Sequence, residues 1–220
     1  MFPRISTALV AMVLLTTASV FAAPKLSPKA QGPEIAFIRS IQKDLNARFA
    51  TPAQAEKAGY FRYTNEDNTG AISYANLQWQ SSDPQHPSQL WYDVHGNLLG
   101  ADFSILRHAS TKAPSLWGVN PARWEKIPAH VHWVLVGPND AYGHATSTKK
   151  FAAAGGNLAN PQAATVVKLG KVKNAAQVRY VFLLPAIWDI DVWVKHNPNG
   201  AFADKNPLVI PSANAAHSMM

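Results

Sequence analysis

The chain has 220 residues, 47% of them hydrophobic and only 15% charged, and no cysteine. That composition supplies one self-sufficient core and excludes disulfide frameworks, thiol nucleophiles and cysteine-ligated metal centres. The formal net charge of +7 attracts polyanions in general, but the basic residues form no run and no aromatic RNA-binding motif accompanies them, so nucleic acid is not an expected partner.

Residues 1–22 read as a cleavable export signal: Arg4 in a short n-region, an apolar run from Ala8 to Leu15, and small residues at Val20-Phe-Ala22, the three parts that export requires. Cleavage after Ala22 is expected, because a cut after Ala23 would start the product at Pro24. Loss of Arg4 leaves 19 basic and 13 acidic side chains, a net charge of +6. The run is shorter than the roughly 20 apolar residues of a spanning helix, so a periplasmic or secreted protein with no membrane span is expected.

Residues 23–32 have linker composition, and a single domain is expected over 33–210. Ile35, Ile38, Ile41, Leu45 and Phe49 recur at steps of three and four, the stripe of an amphipathic helix widened by Phe37. Thr51-Pro52-Ala-Gln54 begins a second helix, with a cap, a proline at the first position and a capping-box glutamine, and Gly59 ends it. Tyr60–Tyr63 and Ile72–Trp79 read as strands around the turn-rich Asn65–Gly70. Leu90–Val94 and Leu98–Leu106 form a hairpin across His95-Gly96-Asn97.

Ala129–Val136 is a further strand, Thr146–Ala154 a short helix, and Thr165–Val172 and Gln177–Leu184 two strands flanking Asn174. Ile187–Val194 closes the series, and 211–220 reads as a flexible tail. Helices first and strands behind them predict an α+β fold, with the N-terminal helices packed on a curled, mainly antiparallel β-sheet.

Chemistry concentrates in two strands. In Pro128-Ala-His130-Val-His132-Trp133, the period of two puts His130 and His132 on one face, two imidazoles side by side for a divalent transition metal. His144 follows after a turn as a candidate third ligand. The pattern resembles the first cupin motif in His-x-His alone, since no carboxylate follows between Val134 and Pro138. Paired histidines on a half-exposed strand also serve as plain surface or hydrogen-bonding groups.

Asp189 and Asp191 share a face of Ile187–Val194 with Trp193, while Trp188, Ile190, Val192 and Val194 share the other. Carboxylates in so apolar a strand need solvation, a partner or a cation. They serve either as charges on an edge strand or as the remainder of a mixed His/Asp site, and the latter requires the final strand to lie beside the histidine strand. No acidic residue falls between Asp140 and Asp189, yet Lys149, Lys150, Lys168, Lys171, Lys173 and Arg179 do. That stretch suits an anionic envelope component, or is a solvated surface. Seven tryptophans build either core or a platform for a flat ligand. No Gly-x-Ser-x-Gly elbow, His-Glu-x-x-His helix or phosphate loop is present.

Asp191-Val-Trp-Val194, Asn197-Pro-Asn-Gly-Ala-Phe202 and Asn206-Pro-Leu-Val209 resemble the closing motif of a group of uncharacterised secreted bacterial proteins. Ala58-Gly59-Tyr60, Ser73-Tyr74-Ala75-Asn76 and Asp93–Phe103 are similar to it as well. Where the group tends to carry histidine, this chain has Ser73 and Asp191. The resemblance implies export and fold but no activity. The expectation is an exported binding protein with a divalent-metal site drawn from His130, His132, His144, Asp189 and Asp191. Its alternatives are a metal-dependent enzyme and an envelope protein with no small-molecule site.

Overall fold

The computed structural model describes residues 26–107, 112–136 and 144–215, with the backbone alone at His144. The export signal and residues 216–220 lie outside the described residues. The fold is α+β, mixed helices and antiparallel sheets with strands predominating. Among the described residues no helix is long and apolar enough to cross a membrane.

Helix α1 runs from Pro33 to Arg48 and buries Phe37, Ile38, Ile41 and Leu45. Ile35, expected in that stripe, is instead 41% exposed, because the buried arc centres on 38, 41 and 45 and leaves 35 at its edge. Helix α2, Pro52–Lys57, begins as expected, with the Thr51 N–H donating to Gln54 Oε1 at 3.0 Å.

The strands form two open antiparallel sheets where one was expected. The larger contains β1 (Phe61–Arg62), β2 (Ile72–Ala75), β3 (Gln89–Tyr92), β4 (Leu98–Leu106), β5 (Glu125–Ile127) and, last in the chain, β9 (Ile187–Trp193). Its spatial order is β1-β2-β3-β4-β9-β5. The smaller is built from β6 (His130–Leu135), β7 (His144–Ser147) and β8 (Val178–Leu184), in the order β7-β6-β8. The final strand therefore lies between β4 and β5 and does not pair with the histidine strand β6, contrary to the requirement of a mixed site. β5, three residues with one apolar side chain, carries too little pattern to be read from sequence.

Thr165–Val172 is not a strand. Helix α4 spans Ala163–Lys168, because Ala163, Val166 and Leu169 recur every three residues and pack into one cluster. Gly170, at φ +68°, closes it: Gly170 N–H donates to Val167 O at 2.8 Å and Lys171 N–H to Val166 O at 3.2 Å, the paired bonds of a Schellman stop. That local geometry overrides the β-branched run. Helix α3 is Thr148–Ala153, shorter than expected because His144–Ser147 pairs as β7.

One apolar cluster joins Phe37, Ile38, Ile41 and Leu45 to Leu90, Tyr92, Ala101, Phe103, Ile190 and Val192 of the larger sheet. A second joins Val131 and Trp133 of β6 to Phe151 of α3 and Val166 of α4. Residues 26–32, expected as a linker, are tied to the body. Arg123 donates to Ser27 O at 2.9 Å and Lys29 O at 3.2 Å while pairing with the buried Glu34 at 2.6 Å. The start of the expected tail is also held, by Ser212 N–H donating to Glu66 Oε1 at 2.6 Å.

Candidate functional site

Strand alternation fixes the site. Ala101, Phe103, Ile190 and Val192 turn into the main core, so Asp102, Ser104, Asp189 and Asp191 must project from the opposite face. Register then sets their neighbours: Asp102 pairs with Gln89 on one side and Asp191 on the other, and Ser104 pairs with Asp189. Acceptor oxygens of Asp102, Asp189 and Asp191 all lie within 4.8 Å of one another. Among the described residues this is the sole group of three or more histidine, cysteine or acidic side chains so placed.

Three carboxylates cannot all stay ionised at that spacing. Asp102 is buried, at 6% exposure, and its Oδ1 has no hydrogen-bond partner. Burial first, then the charges of Asp191 and Asp189, push its carboxyl well above the usual range. Burial and Asp191 do the same to Asp189, against the hydrogen bond that Ser104 Oγ donates at 2.6 Å. Asp191 keeps an exposed surface, and its shift is the mildest of the three. Partial removal of its carboxyl from water raises it to about 6, opposed by hydrogen bonds from Asp102 and Asp189 and reinforced by Glu125 and Asp204. A hydrogen bond between two carboxyls requires a proton on one of them. The cluster therefore resists carrying three charges at once, and Asp191 is the member whose ionised form its two neighbours favour by hydrogen bonding.

Tyr63 stands next to the triad, and Asp102, Asp189 and Asp191 all add to the upward push that burial gives its phenol. Its hydroxyl bonds Gln89 Oε1. Its ring meets His132 edge-on at 6.1 Å. His132 in turn stacks on Phe182 of its own sheet at 5.3 Å, and Phe182 meets Tyr63 at 6.4 Å and Phe61 of β1 at 6.2 Å, so the histidine face of the smaller sheet lies against the aromatic edge of the larger. His130 and His132 do share a face, with their Nε2 atoms 2.7 Å apart. Burial, then His130, lowers His132 to about 3, which keeps it neutral. A cavity of about 20 Å³ lies among Tyr63, Ser88, Gln89, Ser104, His132 and Phe182, room for one water.

The expected ligands thus separate into two groups. Asp189 and Asp191 come together, joined by Asp102, which the sequence reading passed over. His130 and His132 come together elsewhere, and neither joins the three carboxylates. The backbone register pairs His144 with Trp133 and Ala145 with His132, which takes 144 out of the histidine row. Lys149, Lys150, Lys168, Lys171 and Lys173 are exposed.

Comparisons of the chain with protein-family models, with curated proteins and with solved structures return no match. The functional reading therefore rests on the chemistry of the site.

Proposed function

We propose that this is an exported binding protein whose ligand is a hard divalent cation held by Asp102, Asp189 and Asp191. The observation that carries the reading is the partnerless, buried Oδ1 of Asp102 beside two further carboxyls. Such an oxygen costs free energy unless a proton or a cation meets it. All-oxygen donors suit Ca²⁺ or Mn²⁺ rather than a thiophilic ion. Calcium, at roughly 2.4 Å from each oxygen, bridges donors up to about 4.8 Å apart.

In this reading α1 packs on the back of a curled main sheet and holds β4 and β9 in register, so the aspartate row is supported from behind. Export rests on Arg4, the apolar run and Val20-Phe-Ala22. The exposed lysines of the smaller sheet's helices suit an anionic envelope partner. A metal-dependent enzyme is the second reading, favoured by the exposure of Asp191, which leaves a coordination position to water.

Isothermal titration of chelator-treated mature protein with Ca²⁺ and with Mn²⁺ tests the proposal. One ion per chain is expected, with affinity at least tenfold weaker in Asp102→Asn. Absence of heat and of a thermal shift with both ions overturns it and leaves an envelope protein with no small-molecule site.

A further inference from the structure

We propose that His130 and His132 form a second metal site, a two-imidazole chelate for Cu²⁺ that is independent of the aspartates. The alternation of β6 sends both rings to one face, and their Nε2 atoms converge to 2.7 Å. His130 Nδ1 lies 2.7 Å from Pro128 O. A carbonyl only accepts, so Nδ1 carries the proton and the Nε2 lone pair is free. This is the arrangement by which a backbone carbonyl orients a metal-bound imidazole.

With His130 Nε2 bare, the contact between the rings requires the proton on His132 Nε2. His132 Nδ1 is then a buried acceptor, and it has no partner. Ligation by His132 moves that proton from Nε2 to Nδ1, with no net loss or gain. His132 borders a one-water cavity that Ser88 and Ser104 also line, polar surroundings for the relocated proton. Stacking on Phe182 at 11° and edge contact with Tyr63 at 85° hold the ring plane.

Geometry selects the ion. Two nitrogens about 2.05 Å from a metal are about 2.9 Å apart at a right angle and about 3.3 Å apart at the tetrahedral angle. From 2.7 Å, the tetragonal arrangement of Cu²⁺ requires the smaller movement, and the affinity order of divalent ions also favours copper over zinc. No third histidine, cysteine or acidic ligand joins the pair among the described residues, so the other equatorial positions fall to solvent or to an external donor.

The test is titration of the full mature protein with Cu²⁺, read by calorimetry and by electron paramagnetic resonance. The parent, His132→Phe, His130→Ala and Asp102→Asn are compared. His132→Phe keeps a ring on Phe182, and its melting curve checks folding; the more accessible His130→Ala is the second safeguard. The expected result is one Cu²⁺ with two equatorial nitrogen couplings, lost in both histidine variants and intact in Asp102→Asn. A parent without that two-nitrogen signal, or a signal that survives His130→Ala, overturns the proposal.

Discussion

Asp102 and Asp191 face one another across paired strands, a position where two ionised carboxylates repel. Asp191 is raised to about 6 in the fold from an ordinary 3.8. A raised carboxyl stabilises the fold below its unfolded pKa and loses that contribution as pH rises through the folded value. In chelating buffer, Asp191→Asn should therefore melt above the parent at pH 8, and the gap should close toward pH 4. Equal melting temperatures across that range would show that the carboxyls are not crowded as the fold requires.

Glu34 shows the opposite sign. Burial pushes its carboxyl up, but hydrogen bonds from Arg123 and from the Gln31 and Asn120 N–H groups, with the Arg123 charge, hold it below its ordinary value. Its contribution is present at neutral pH and fades in acid. Removing the partner leaves a buried charge, so Arg123→Ala should cost about 3–5 kcal/mol in urea denaturation at pH 7, and less at pH 4. The alternating Ala101-Asp102-Phe103-Ser104 pattern carried the same signal that singled out Asp189 and Asp191. Asp102 was legible there, as a lone carboxylate in an apolar strand. Its partners were not, because register across β3, β4 and β9 joins residues 89, 102 and 191, separations that no local pattern encodes.

Among the elements, the stripe of α1 was readable because burial follows the helical period, although the edge of the stripe was not. Ile38 is 7% exposed and Ile35 41%. Ile38→Asp should cost several kcal/mol, through an unpaired buried charge and lost apolar contact, while Ile35→Asp should stay within about 0.5 kcal/mol. Similar losses in both variants would contradict the packing assigned to α1. β4 contains a second sensitive point. A Cβ on Gly100 would lie 2.7 Å from Val192 O and collide with the Trp91 ring. Because Trp91 shares the Asp102 face of the sheet, diagonal to it, and favours its ionised form, Gly100→Ala should destabilise by about 1–3 kcal/mol and weaken cation binding, both measurable in one melting series with and without Ca²⁺. The misread of α4 has a physical cause: β-branched residues favour strands on average, but three-residue apolar spacing and a glycine stop decide locally.

For the whole molecule, the absence of cysteine excluded disulfides and the order of helices and strands indicated an α+β fold, whereas the division into two sheets was not visible. It arises because β9 is captured by β4 and β5 while β6 pairs with β7 and β8, a choice made by long-range contacts. That division is what separates imidazoles from carboxylates, so that the one mixed site expected from the sequence gives way to two proposed sites of distinct chemistry. A hard cation on the aspartate row would be located by anomalous diffraction from crystals of the mature protein grown with Mn²⁺. The expected result is a peak within about 2.5 Å of carboxylate oxygens from Asp102, Asp189 and Asp191, absent in Asp102→Asn. Crystals in which the triad shows no peak at saturating Mn²⁺ would contradict it.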